Sequence, residues 1–355
     1  MNIAALATGL VGLSASTWVF PWLARLREPM QRPTNTPAEP GEIEILIPAH
    51  DEEATIAATL DSIRRAVARL RETDSRWSAR VRVGADNCSD RTAEIARATG
   101  GGVEDFAFRS KWRTLSALTA TSRAARVAWV DAGTIWPDDL LLRVTEAWSA
   151  RAIGVAVAYR PRRSGILHRL LWELEAMLKN LENDAGGPVS VHGATVFYDG
   201  DLLRRELASL AVKDWRNDDV IVPYSLRARH ADRPLVYLTR TAVDDAGLGR
   251  TSSDTRRRLR LVEGNVEIFR AAFFDGPHTP RGSANLLLSR RMARALWAWW
   301  ILALAGGAFG ALAALGLLAF AVLSARRPLG AAFLASLAMP ALVAFPRLGR
   351  RLPWN

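Results

Sequence analysis

No charged residue occurs between Met1 and Ala24. Inside a bilayer a backbone must satisfy its own hydrogen bonds, so a stretch of about 20 apolar residues crosses as a helix. A cleaved signal peptide would carry a basic segment ahead of its apolar run, and here the first basic residue is Arg25. Residues 1–24 are therefore expected to form an uncleaved transmembrane anchor. Two further apolar blocks, 296–323 and 329–346, are expected to be a pair of transmembrane helices parted by Arg326, Arg327 and Pro328. Trp297, Trp299 and Trp300 open the first of these, as an aromatic belt at the interface would. A buried helical hairpin of a soluble protein would show the same pattern.

Basic residues near the apolar blocks set the expected orientation. Arg25, Arg27 and Arg32 follow the first block, Arg290, Arg291 and Arg294 precede the second, and Arg347, Arg350 and Arg351 follow the third. Only Arg326 and Arg327 fall on the opposite side. The positive-inside tendency then puts the amino terminus outside and the middle domain in the cytoplasm, giving a multi-pass protein of the inner membrane. The single cysteine, Cys88, agrees with a reducing compartment. The net charge of +11 comes without a zinc, helix-turn-helix or RNA-binding signature, so nucleic acid is not an expected partner. Attraction of flanking arginines to membrane lipid accounts for much of it.

Between the apolar ends, residues 25–42 read as a linker rich in Pro, Thr and Glu. From 43 to 270 short apolar runs alternate with segments of helical periodicity. Ile43 to Ile47, Val81 to Ala85 and Val127 to Val130 read as buried strands; Ile56, Leu60, Ile63, Val67 and Leu70 share one face of a helix, and Thr92 to Ala98 reads as another. Such alternation predicts an α/β domain with a mostly parallel sheet and flanking helices. Residues 271–295 read as a basic interfacial segment leading to the next span.

Polar signatures follow the strands: Pro48-Ala49-His50-Asp51-Glu52-Glu53, Asp86-Asn87-Cys88-Ser89-Asp90, Lys111-Trp112-Arg113-Thr114-Leu115 and Asp131-Ala132-Gly133-Thr134. In an open α/β sheet, groups beyond the carboxyl ends of strands converge on one crevice. Taken singly, each has a plainer reading. Asp51 suits a helix cap, Asn87, Ser89 and Asp90 suit a turn, and Lys111 suits a solvated helix start. Farther on come Val189-Ser190-Val191-His192-Gly193-Ala194, Asn217-Asp218-Asp219-Val220 and Arg257-Arg258-Leu259-Arg260-Leu261.

In this order the signatures resemble those of family 2 inverting, membrane-associated glycosyltransferases of the GT-A, nucleotide-diphospho-sugar fold, over roughly residues 43–300. The resemblance implies that Pro48 and Glu52 meet the nucleoside, that Asp86 reads the base, and that Lys111 meets the diphosphate. It implies a divalent cation, Mg²⁺ or Mn²⁺, on Asp131, although Gly133 stands where the family carries a second acid. Asp219 becomes the general base with Asp218 beside it; on the residues alone, both acids also suit a helix N-terminus. Arg257, Arg258 and Arg260 would clamp the diphosphate, while Leu261 replaces the tryptophan of processive synthases. His192 would touch a sugar or sit in the core.

The expected activity is transfer of a sugar from a nucleotide-diphosphate sugar to a lipid-linked or polysaccharide-precursor acceptor at the membrane, with inversion and without processivity. The rival reading is a non-catalytic membrane assembly subunit that keeps the nucleotide-binding fold. A nucleotidylyltransferase would open with a glycine-rich phosphate loop, and the Pro48–Glu53 turn has no glycine.

Overall fold

The computed structural model describes residues 2–27, 36–160, 166–211, 213–246, 254–273, 283–324, 333–334 and 336–340, with side chains except at 27, 166–169, 171 and 254–260. The chain divides into two compact units, Met1–Glu28 with Gly249–Leu352, and Pro29–Leu248 with Pro353–Asn355.

The first unit begins with α1 (Ile3–Ser14), a π-helical turn (Ala15–Val19) and α2 (Phe20–Arg27). Together they make one apolar helix, Ile3–Leu26, of 24 residues. Asn2 caps it by accepting from the Ala5 amide at 3.1 Å. The π turn precedes Pro21, whose ring brings no N–H to the helical ladder, and wider turns absorb such a defect.

The second unit holds β1 (Glu42–Ala49), α3 (Ile56–Thr73), β2 (Ser78–Asp86), α4 (Thr92–Ala98), β3 (Gly102–Phe106), α5 (Lys111–Thr121), β4 (Arg126–Val130) and β5 (Thr134–Ile135). It continues with α6 (Leu140–Ala147), β6 (Gly154–Tyr159), α7 (Ile166–Asn183), β7 (Thr195–Asp199), α8 (Gly200–Leu210), α9 (Asp218–Arg229) and β8 (Leu235–Asp245). The strands form one sheet in the order β3-β2-β1-β4-β7-β6-β8-β5. Strands β3, β2, β1 and β4 run parallel. β6 and β8 also pair parallel, so most strands share one direction, as expected, and two reverse it to make the sheet mixed. Strand β7 inserts antiparallel between β4 and β6, and β5 lies antiparallel to β8.

β1 is buried along nearly its whole length, as a central strand covered on both faces should be. Ile43, Ile45 and Ile47 pack with Ile56, Leu60 and Ile63 of α3, and with Val83, Trp136 and Phe197, in one apolar core. Glu44 is the exception on that strand. Its carboxylate is fully buried and pairs with Arg80 at 2.8 Å and Arg82 at 3.2 Å, both from β2. Two hydroxyls on the buried face of α3 brace the far side of the sheet: Thr59 accepts from the Gly133 amide at 2.9 Å and Ser62 from the Trp136 amide at 3.1 Å.

The first unit is completed by α10 (Asp254–Phe273), α11 (Ser283–Ala295), α12 (Trp297–Phe309) and α13 (Ala311–Leu323). The expected single span over 296–323 is broken. Gly310 adopts φ 86°, a left-handed backbone that glycine tolerates, and separates α12 from α13; α11 meets α12 at 58°. Among the described residues, only Ile3–Leu26 is long and apolar enough by itself to cross a bilayer, or two segments if the bent pair α11–α12 counts as one. The block 329–346 lies largely outside the described residues. α1 packs on α12 through small residues. A Cβ at Gly12 would come within 2.2 Å of the Trp300 ring, and one at Gly307 within 2.4 Å of the Leu6 amide nitrogen. Glycines at these positions let the two backbones approach, as at helix interfaces in lipid.

Candidate active site

Loops beyond the carboxyl ends of β1, β2, β3 and β4, the segment before β7 and the start of α9 supply the site. The loop after β1 is laced to the loop after β2. Asp51, at φ 52°, accepts from the Ser89 amide at 2.7 Å; the Glu52 amide donates to Thr92 Oγ1 at 2.7 Å, and the Glu53 amide to Asp90 at 3.0 Å. Asp51 therefore braces a loop rather than capping α3. Pro48 lies within β1, and the Glu52 carboxylate accepts from the Thr55 hydroxyl at 2.7 Å. Asp51, Cys88 and Asp90 bring ligand atoms within 4.8 Å of one another, but both carboxylates are engaged in this lacing.

Asp86 ends β2 with a fully buried carboxylate. It accepts three backbone N–H groups, from Phe108 at 2.6 Å, Arg109 at 2.9 Å and Ser110 at 2.8 Å. Those residues lead directly into α5, where the Ser110 hydroxyl caps the helix by accepting from the Arg113 amide at 3.3 Å. The described contacts of Asp86 thus fix the start of α5, and with it Lys111.

Lys111, Asp131, Asp218 and Asp219 converge. Lys111 Nζ lies 2.7 Å from Asp131 Oδ1 and 3.1 Å from Asp218 Oδ2. Asp131 follows β4 because β7 runs antiparallel beside it. Thr195 pairs with Val130, and the Asp131 amide donates to the Ala194 carbonyl at 3.1 Å. Asp218 and Asp219 open α9, and the Asp219 carbonyl accepts from the Val191 amide at 2.8 Å, which ties the helix start to the same segment. Asp218 is nearly buried and Asp219 is half-buried.

Gly193, part of the Val189–Ala194 signature, lies amid these groups. A Cβ on it would stand 3.5 Å from Asp131 Oδ2, 3.6 Å from Asp219 Cβ and 3.8 Å from Lys111 Nζ. Its signal in sequence is a glycine between His192 and Ala194, just ahead of the strand that starts at Thr195. The segment is held from behind. Buried Lys179 donates to the Ser190 hydroxyl at 3.0 Å, and His192 Nε2 lies 2.9 Å from the Tyr237 hydroxyl. The His192 ring is buried, with the Trp172 ring centroid 5.2 Å away. Val189 to Ala194 is loop, and the strand begins only at Thr195.

Electrostatics match this geometry. Burial pushes the Asp218 carboxyl up to about 6; Lys111 opposes that rise, while Asp219 and Asp131 add to it. Burial acts against the Lys111 charge too, but Asp131 and Asp218 outweigh it and hold the ammonium above its ordinary range. One ammonium faces two carboxylates, with Asp219 close enough to Asp218 to act on it. Asp131 and Asp218 already converge on a single cationic atom, and a hard divalent cation that keeps water and phosphate oxygens needs no more than one or two. The donor set fits such a cation. Gly133, where a second acid was missed, has φ 90°.

Arg257, Arg258 and Arg260 fall in α10 of the other unit, and their side chains lie outside the described residues.

The model of a family described as "Glycosyltransferase like family 2" matches residues 40–264. A mannosyltransferase from Pyrobaculum calidifontis, in complex with GDP-Man and Mn²⁺, shares the fold with a TM-score of 0.68 at 18% identity, over 97% of this chain and 99% of that one. Mannosyl-3-phosphoglycerate synthase from Rubrobacter xylanophilus aligns at 16% identity with a TM-score of 0.43, over 68% of this chain and 78% of that one. Glucosyl-3-phosphoglycerate synthase from Mycobacterium tuberculosis aligns at 17% identity with a TM-score of 0.42, over 72% and 84%. No curated protein sequence matches the chain.

Proposed function

The chain belongs to the glycosyltransferases like family 2, and from that premise we propose that it moves single sugars from a nucleotide-diphosphate donor to a membrane-proximal acceptor, with inversion. The observation that carries this reading is the convergence of Lys111, Asp131, Asp218 and Asp219 around Gly193. The nucleoside lies along the laced loops at Pro48, Glu52 and Asp86. Its diphosphate meets the N-terminus of α5, where the helix dipole and Lys111 favour an anion.

Asp131, with Asp218 near it, would hold Mg²⁺ or Mn²⁺, as the donor set allows; the Pyrobaculum neighbour was solved with Mn²⁺ and GDP-Man. When bound, the cation would offset negative charge on the departing diphosphate. Asp219 accepts the proton of the acceptor hydroxyl as its oxygen bonds to the anomeric carbon, and the bond to the diphosphate breaks on the opposite face. Its supporting contrast with Asp218 is engagement: Asp218 is paired to Lys111, whereas the Asp219 carboxylate forms no ion pair among the described residues.

The apolar helix Ile3–Leu26 supports an acceptor at the membrane, lipid-linked or a polysaccharide precursor. A panel of nucleotide-sugars, tried with and without Mn²⁺ on detergent-purified protein, tests the proposal. Turnover with one donor and a product of inverted anomeric configuration by NMR are expected; a retained configuration would overturn it.

A further inference from the structure

Lys111 is placed where a cation belongs. Its ammonium sits between Asp131 and Asp218, which come from different elements, one beyond β4 and one at the start of α9. All three positions are anchored: Lys111 through the loop that Asp86 holds, and Asp131 and α9 through Ala194 and Val191 of one segment. Gly133 stands where the turn would carry a second acid, and Asp218 is the carboxylate that already shares a cationic atom with Asp131. A divalent ion on Asp131 Oδ1 would take an oxygen that the ammonium now holds, and the two positive charges would repel.

We infer that Lys111 is an exchangeable internal counter-ion. In the donor-free protein its ammonium occupies the carboxylate site; when the divalent cation enters with the donor, the ammonium is displaced onto the diphosphate. No bond is made or broken in this exchange. It follows that metal alone binds weakly, because displacing the ammonium then leaves it without a partner. Metal and diphosphate together bind well, because the diphosphate receives it. By linkage, each raises the affinity for the other. The inference rests on Asp131 as the cation ligand.

The test uses the full chain in detergent at pH 7.5, with free Mn²⁺ read by electron paramagnetic resonance. Lys111→Met is expected to bind Mn²⁺ alone about tenfold or more tightly than the parent, and UDP or GDP at saturating Mn²⁺ about tenfold or more weakly. The opposite signs are diagnostic, since a lysine that merely supports the fold would weaken both. Lys111→Arg keeps the charge and is expected to leave Mn²⁺ alone bound as weakly as in the parent. Acetylation of Lys111 in the unmutated protein, followed by mass spectrometry, should speed up on adding Mn²⁺ alone at saturation. A Lys111→Met protein that binds Mn²⁺ alone no better than the parent, or labelling that Mn²⁺ leaves unchanged, overturns the exchange while Asp131 stands. A parent that takes up no Mn²⁺ even with UDP or GDP overturns the cation reading and the exchange with it.

Discussion

Asp218 and Asp219 are adjacent in sequence, yet the start of α9 gives them different surroundings. Asp218 lies against Lys111 in a nearly buried position, and Asp219 is half-buried beside Gly193. Asp219→Asn is therefore expected to lower turnover by about 10²–10⁴ while leaving Mn²⁺-dependent donor affinity close to that of the parent. Measuring both in one preparation checks it; loss of turnover confined to Asp218→Asn would exchange their roles. Asp86 calls for a different measurement. Its carboxylate orders three amides ahead of Lys111, so Asp86→Asn is expected to weaken binding of inorganic pyrophosphate as well as of nucleotide. Calorimetry with pyrophosphate separates this from a base contact, whose loss would spare pyrophosphate. The positions of Asp86 and Asp131 were legible because each follows an apolar strand run, and those of Lys111, Asp218 and Asp219 because they open helices. The structural duty of Asp86 was not, because its partners are backbone amides some twenty residues away, and backbone leaves no mark in sequence. Thr59 and Ser62 were hidden for a related reason, being hydroxyls within an apolar periodicity that reads as packing alone.

At the scale of elements, β1, β2 and β4 were legible from their apolar runs, and α4 and the start of α5 from local signals; β3, with Glu104 and Asp105 in its middle, was not. The antiparallel insertion of β7 was not, since an apolar run carries no direction. Neither was the break at Gly310, where composition stays apolar while the backbone turns. Glu44 shows what a charge inside a central strand does. Burial favours its neutral form, yet Ser122, Arg80 and Arg82 outweigh that and hold its carboxyl below the ordinary 4.5. A lowered carboxyl contributes stability above its unfolded pKa and loses it as pH falls through the folded value. Glu44→Gln is thus expected to cost about 1–3 kcal/mol at pH 7, with the gap to the parent closing below about pH 4.5. Denaturation of the purified protein across that range measures it, and a gap independent of pH would leave the charge without a role in β1–β2 pairing.

At the scale of the whole molecule, the proposed chemistry constrains where the sheet domain must face. Nucleotide-sugars are cytoplasmic, and the basic residues after Ala24 favour the same side. The helix Ile3–Leu26 carries exposed Leu10, Val11, Trp18 and Trp22, which water disfavours and lipid accepts. Cys88 is the only cysteine in the chain, so a single-cysteine reporter needs one replacement, Cys88→Ala, and one introduction. Ser75 is exposed in the turn between α3 and β2, remote in sequence from every proposed site residue. In a Cys88→Ala, Ser75→Cys protein, a membrane-impermeant maleimide should label Cys introduced at 75 only after the cells are permeabilised. Labelling of intact cells would place the domain outside, away from its donor, and would remove the cytoplasmic orientation together with the supply of substrate on which the proposed transfer depends.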